Sequence, residues 1–324
     1  MTDRSNFGAT TTADEVLEGI DLTGKLVVIT GGASGLGQET ARAMAAKGAQ
    51  IVIPVRDMAK GEAAVVKIRK SVPDADIELM ECDLGKMASI QFFAEAFLVQ
   101  HDRIDLLINN AGVMASPHMT TGDGLELQFG TNHIGHFLLT NLLMPALVEA
   151  AKAGSDARIV NLSSRGHHFD TVHFDDPHFE ERDYDKWLAY GQAKTANIMF
   201  TVGLEKRLAG KGVHALAVHP GGIRTNLGRH LTEEDMAMLL KRMEENSGES
   251  FAFKTVEAGA ATTCYAATAP ELHGRGGVYL EDCHVAEVDD EDESGGVRSY
   301  AVDPGNAEKL WSLSEATIDQ TFSY

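Results

Sequence analysis

Cysteine is scarce. Three thiols, Cys82, Cys264 and Cys283, are spread over 324 residues with no C-x-x-C pair. So few, odd in number and widely spaced, they argue against a disulfide framework and against the usual structural zinc spacings. Positive charge is also short: 28 Lys and Arg stand against 48 Asp and Glu, a formal net charge of −20 at pH 7. Such a chain repels phosphodiester backbones and anionic lipid headgroups, so no nucleic-acid or membrane partner is expected. No apolar run reaches the ~18 residues of a membrane span, and Met1 to Asp21 lack the apolar stretch of a signal peptide. The expected location is cytoplasmic. The acidic run from Glu287 to Glu293 lacks the D-x-D-x-D-G spacing of a calcium loop and reads as a solvated loop. What the chain does have is apolar residues, at 44%, enough for a full core.

Those apolar residues fall into short β-branched runs at 25–30, 50–55, 77–81, 104–109, 158–162 and 213–219. Helical patterns separate them, notably at 35–47, 57–70, 125–151 and 185–209, and a last helix follows at 304–318. Strand and helix alternating at this spacing predict an α/β fold: a doubly wound parallel sheet of about seven strands with helices on both faces. Residues 1–24 read as a polar arm. No linker divides 25–324, so one domain is expected, with a substrate lid around 226–254 and a C-terminal loop and helix.

Two local patterns carry chemistry. Thr30-Gly31-Gly32-Ala33-Ser34-Gly35-Leu36-Gly37 joins the first strand to the first long helix. Glycines there permit a tight turn and let backbone approach a pyrophosphate, at which the helix N-terminus points free N–H groups. Tyr190 and Lys194 lie four residues apart, on one face of the helix 185–209. A cation beside a phenol favours the phenolate and lowers its pKa, which tunes the tyrosine to exchange a proton with an alcohol oxygen.

With these two patterns, further pieces appear in order: Cys82-Asp83-Leu84, Asn109-Asn110-Ala111-Gly112, Thr131-Asn132-His133-Ile134-Gly135-His136, Asn161-Leu162-Ser163-Ser164 and His219-Pro220-Gly221-Gly222-Ile223-Arg224-Thr225. Over roughly Leu22 to Leu280 the chain resembles the short-chain dehydrogenase/reductase superfamily. N-H-x-G-H-F and Arg56-Asp57 resemble its retinol dehydrogenase and WW-domain oxidoreductase branch, and light-dependent protochlorophyllide reductases share these elements. The resemblance implies Tyr190 as general acid/base and Lys194 as its electrostatic partner, also bonded to the nicotinamide ribose. It implies Ser164, rather than Ser163, as the holder of the substrate oxygen, and Asn132 as the residue that positions a water. For the cofactor it implies Gly31, Ser34, Gly35, Leu36 and Gly37 in the turn, Asp83 and Leu84 at the adenine, and Asn110, Ala111 and Gly112 beside its ribose. Pro220, Gly221, Ile223 and Thr225 would hold the nicotinamide amide. Dimers or tetramers would pair through the helices 125–151 and 185–209.

The second strand ends Pro54-Val55-Arg56, with no acid for a ribose 2′-OH and a guanidinium suited to a 2′-phosphate. NADP(H) is therefore preferred and NAD(H) remains possible, because Ser34 stands where the family's glycine turn carries a second cation. Ser164 and Tyr190 are 26 positions apart, longer than the family pattern, and the segment 165–186 holds His167, His168, His173 and His178. Their spacing matches no metal motif, and no metal is expected. Thr232 can cap a helix whose stripe is Met236, Leu239, Leu240 and Met243; this is either an adaptable wall for a bulky apolar alcohol or ketone, or ordinary core. A catalytically weak cofactor sensor and a carbon–carbon double-bond reductase stay open as other readings.

Overall fold

Six of the apolar runs form strands where their composition places them: Leu26–Ile29 (β1), Gln50–Val55 (β2), Ile77–Glu81 (β3), Leu106–Asn109 (β4), Ala157–Leu162 (β5) and Val213–His219 (β6). The computed structural model describes residues 6–247 and 252–324, without the side chains at 242, 243 and 245–247. It adds Val278–Glu281 (β7) and His284–Val285 (β8). All eight join one sheet in the order β3-β2-β1-β4-β5-β6-β7-β8. Every pairing is parallel except that of β7 with β8. The eighth strand exists because Asp282 and Cys283 both take positive φ and reverse the chain in a two-residue turn.

The helices that position the site and its supports are Ala13–Val16 (α1), Gly35–Ala45 (α2), Met58–Ser71 (α3), Met87–Gln100 (α4), Leu127–Lys152 (α5), Lys186–Arg207 (α6), Glu233–Ser247 (α7), Val256–Thr268 (α8) and Pro304–Ile318 (α9), with a further single turn at Ser299–Val302. The alternation of β1 shows why both sheet faces are covered. Leu26 and Val28 pack with α4, α5, α6 and α9, whereas Val27 and Ile29 pack with α2, α3 and α8. α5 is long and apolar enough to cross a membrane, and most of it is buried in this core.

The polar arm expected over 1–24 is, from residue 13, part of the fold. Ala13, Val16 and Leu17 form a one-turn apolar stripe, fully buried in the core that α2 and α8 line. Thr12 and Glu15 cap it reciprocally. The polar flanks of that stripe hide it from a composition-based reading.

The helices expected to pair between subunits, α5 and α6, carry α9 on part of their surface. Trp311 lies 4.9 Å from the ring of Phe137 on α5 and 5.9 Å from that of Phe200 on α6. Arg207 stacks 3.9 Å over Trp311 and donates to both Glu308 carboxylate oxygens, at 2.8 and 3.0 Å. His133 and Ser314 close the same contact at 2.7 Å. The chain thus fills with its own C-terminal helix part of the surface expected to face a second copy.

Candidate active site

In an open parallel sheet the crevice for a ligand forms at the strand C-termini, where the strand order reverses. Here that point lies between β1 and β4, and a cavity of about 1400 Å³ opens over it. Gly31, Ser34, Gly35, Leu36, Gly37, Arg56, Asp83, Leu84, Asn110, Ala111, Gly112, Tyr190, Lys194, Pro220, Gly221, Ile223 and Thr225 all line it, and so does Ser164. Asn132 does not.

The glycine turn is built around Thr30. Its hydroxyl accepts from the backbone N–H groups of Asn110 at 2.9 Å and Ala111 at 3.0 Å, and Asn110 Nδ2 donates to its carbonyl at 2.8 Å. Gly35 has φ +54°, and a β-carbon there would sit 3.3 Å from Thr225. Ser34 makes no side-chain cap, so the first N–H groups of α2 are left for a ligand. A β-carbon on Gly112 would lie 3.1 Å from Asn132 Oδ1 and 3.8 Å from Lys194 Nζ, which leaves a bare backbone shelf beside the lysine. Free helix N–H groups, a bare glycine shelf and an arginine at the far strand fit a dinucleotide.

Asp185 caps α6 by accepting from the N–H groups of Trp187 and Leu188, which starts the helix that aims Tyr190 and Lys194 inward. Tyr190 shares a hydrogen bond with Ser164, whose Oγ also accepts from Gly166 N at 3.0 Å. Ser163 turns away and donates to the Lys194 carbonyl at 2.8 Å. Lys194 Nζ donates to the Leu162 carbonyl at 3.0 Å and lies 5.7 Å from the Tyr190 ring centroid. Burial pushes Tyr190 up to about 12, with the Ser164 bond pulling the other way, and pushes Lys194 down to about 8. The lowering of the tyrosine that the i, i+4 spacing predicts is therefore outweighed: taking the pair out of water disfavours both charges.

Asn132 lies in a π-helical turn, Gly130–Ile134, within α5. Its Oδ1 accepts from Val113 N at 2.8 Å and its Nδ2 donates to Val113 O at 2.9 Å. Both ends of the amide brace the backbone next to Gly112. Its carbonyl accepts from His136 Nδ1 at 2.9 Å. That bond puts the proton on Nδ1 and leaves Nε2 to accept from the Thr30 hydroxyl at 2.9 Å. Burial lowers His136 to about 4, so the ring is neutral. His136 thereby ties the cofactor turn to Asn132. Sequence reasoning quoted this histidine without a role, since one imidazole on an apolar helix looks like any core histidine.

The four histidines of the segment 165–186 are braces. His167 donates to Ser164 O at 2.8 Å and accepts from Arg298 N at 3.2 Å. His168 donates to Gly296 O at 3.2 Å, His173 contacts Asp170 at 3.0 Å, and His178 accepts from Glu126 N at 3.3 Å. Arg182 covers the Phe179 ring at 3.7 Å and bonds Gln192 on α6 at 2.8 Å, which fastens the segment to the helix of Tyr190.

The stripe on α7 faces the cavity: Met236, Leu239 and Leu240 line it with Phe169 and Trp187, while Met243 lies outside the described side chains. Thr232 and Asp235 cap this helix reciprocally, and Asp235 also holds Lys186 at 2.6 Å. Arg56 has no carboxylate partner among the described residues; the neighbouring Asp57 pairs with Lys60.

Fold and site together define a nucleotide-binding oxidoreductase architecture. The family model for short chain dehydrogenases matches residues 25–236, and the chain belongs to that family. Within it the chain groups with retinol dehydrogenase-like members. It is 41% identical to human retinol dehydrogenase 12 over 295 residues, 91% of this chain and 86% of that one. It is also 41% identical to short-chain dehydrogenase/reductase prx1 of Penicillium roqueforti over 297 residues, 90% of this chain and 84% of that one. A crystal structure of an uncharacterised Mycobacterium paratuberculosis protein aligns with TM-score 0.72 at 34% identity, covering 97% of this chain and all of the other.

Proposed function

We propose that this protein is an NADP(H)-dependent oxidoreductase that interconverts a secondary alcohol and a ketone, or an alcohol and an aldehyde, on a bulky apolar substrate. The observation that carries the reading is the convergence of Tyr190, Ser164 and Lys194 on one wall of a cavity whose other wall is the glycine turn. The bound dinucleotide supplies or accepts the hydride. Ser164 holds the substrate oxygen, and Tyr190 hands it a proton as negative charge grows there in reduction. Lys194 keeps a cation beside the phenol. Asn132 acts through the backbone it braces rather than by touching substrate. Met236, Leu239, Leu240, Phe169 and Trp187 support an apolar substrate body. Arg56, at the end of β2 and without a carboxylate partner among the described residues, supports NADP(H) over NAD(H).

The reading includes a cytoplasmic location, supported by three cysteines that stay free and buried. It also includes a homo-oligomer. With α9 laid over part of α5 and α6, one apolar strip that a second copy could use is the outer side of α4, where Phe92 is 70% and Val99 87% exposed. The deciding experiment is a panel of ketones, aldehydes and secondary alcohols, each with NADPH, NADH and their oxidised forms, followed at the nicotinamide absorbance. Turnover of large apolar ketones with NADPH supports the reading. No turnover of any carbonyl or alcohol, with cofactor still bound, would return it to a cofactor sensor.

A further inference from the structure

Two arginines from distant parts of the chain line the same cavity. Arg56 follows β2, three strands across the sheet from β5, which leads into Ser164. Arg229 follows the short turn Asn226–Gly228, which Thr225 caps by accepting from Leu227 N at 3.3 Å. Thr225 lies against Gly35 of the glycine turn, so the chain leaving β6 crosses over that turn before it reaches Arg229. Both arginines line the cavity. They are close enough for the charge of Arg56 to lower the pKa of Arg229, after the larger effect of burial.

Neither guanidinium has a carboxylate partner among the described residues; that of Arg229 makes one bond, from Nη1 to the Asn226 carbonyl at 3.3 Å. Several other arginines have carboxylate partners: Arg42 with Glu39 and Asp14, Arg158 with Asp156, Arg207 with Glu308 and Arg298 with Glu293. Both residues are exposed, and two neighbouring cations without carboxylate partners among the described residues form a local positive field, in a chain of 48 acids and 28 bases, that favours an anion. A dinucleotide cradled by this glycine turn puts its adenosine ribose at the end of β2, and a 2′-phosphate there is nearly a dianion.

We propose that Arg229 is the second cation for the 2′-phosphate of NADP(H), delivered from the segment that leads into the α7 lid. NADPH then holds that segment down on the cofactor, and NADH, which lacks the phosphate, does not. The glycine turn has Ser34 where a cation could have stood, and Arg229 supplies the charge from the opposite side. This inference rests on the NADP(H) reading above.

The test is calorimetric titration of NADPH and NADH into wild type, Arg56→Ala, Arg229→Ala and Arg229→Lys, with hydrogen exchange of the segment 226–247 alongside. Arg229→Ala should weaken NADPH about tenfold or more, the weight of a charge-assisted contact, and leave NADH nearly unchanged. Arg229→Lys should recover part of the loss. NADPH should protect the segment more than NADH does in wild type, and the difference should vanish in Arg229→Ala. If Arg56→Ala lowers the NADPH/NADH preference while Arg229→Ala does not, Arg229 has no such role and the cofactor reading stands. If wild type binds both cofactors equally and neither alanine variant changes that, the cofactor reading itself fails, and this inference with it.

Discussion

His136 Nδ1 donates to the carbonyl of Asn132 across 2.9 Å, and the same ring accepts from Thr30 of the cofactor turn. One neutral imidazole therefore sets the distance between the glycine turn and the backbone that frames Lys194.

His136→Leu keeps the bulk and leaves two buried groups, the Thr30 hydroxyl and the Asn132 carbonyl, without this partner. The expected cost is about 1–3 kcal/mol of stability per group, with weaker dinucleotide binding. The variant should also change the acid limb. The folded pKa of about 4 lies below the ordinary histidine value, so the unfolded chain binds more protons between about 4 and 6.5. Wild type loses stability from this group as pH falls through that window. His133 and His167, lowered to about 3 by burial, add slope of the same sign. Denaturant unfolding at several pH values should give a shallower slope for His136→Leu, and an unchanged slope would mean that the ring is charged in the folded protein.

Tyr190→Phe keeps the ring and removes the hydroxyl. Fold and cofactor affinity should persist while turnover falls by about 10²–10⁴. With burial holding the phenol protonated up to about 12, donation in reduction is available at neutral pH. Oxidation needs the phenolate, so its wild-type rate should climb through the alkaline range while that of reduction does not. Steady-state rates in both directions check this, and near wild-type turnover by the phenylalanine variant would remove Tyr190 from the mechanism.

Lys194→Met should stabilise the protein without cofactor while abolishing most turnover. Burial lowers the lysine to about 8, so its charged form is disfavoured in the fold below that pH by on the order of 3 kcal/mol relative to an ordinary lysine. The Leu162 carbonyl keeps a partner, because Asn197 Nδ2 also donates to it at 2.8 Å. The advantage of the variant should be full below pH 8 and shrink from 8 to about 10.5, as wild type sheds its proton on folding. Thermal unfolding at pH 7 and pH 10 measures it; a less stable variant at pH 7 would contradict the argument.

Gly35→Val places a branched side chain at φ +54°, 3.3 Å from Thr225. Strain of about 1–3 kcal/mol and a displaced phosphate-binding turn are expected. NADPH titration of folded variant should show a loss of tenfold or more; retained affinity would mean that the turn does not hold the pyrophosphate.

Phe92→Glu with Val99→Glu should dissociate the proposed homo-oligomer, read by light scattering, without loss of secondary structure. A wild type that is monomeric at micromolar concentration would instead leave the exposed strip on α4 unpaired.

What the sequence determined by itself was whatever depends on neighbours along the chain. The β-branched runs marked β1 to β6 because short runs of that composition suit a sheet buried on both faces. The glycines before α2 and the Tyr190/Lys194 spacing announced themselves because a βα turn and a helix face are local objects. Local rules stop at three places. The turn at Asp282-Cys283 carries neither glycine nor asparagine, so β8 had no signal. α1 is one turn long, too short for its period to stand out. The phenol and ammonium were expected to tune each other, yet their pKa values follow burial, which only the packed cavity decides. Distance along the chain hid the rest. Resemblance alone separated Ser164 from Ser163 in the sequence; the fold adds that one hydroxyl is aimed at Tyr190 and the other at a carbonyl. Thr30, His136 and Asn132 became one unit, α9 closed over α5 and α6, and Arg229 and Arg56 came to line one cavity because a doubly wound sheet gathers the ends of distant strands at one edge. Charge, hydrogen bonding and burial act through space, and at that edge the space is set by the tertiary fold.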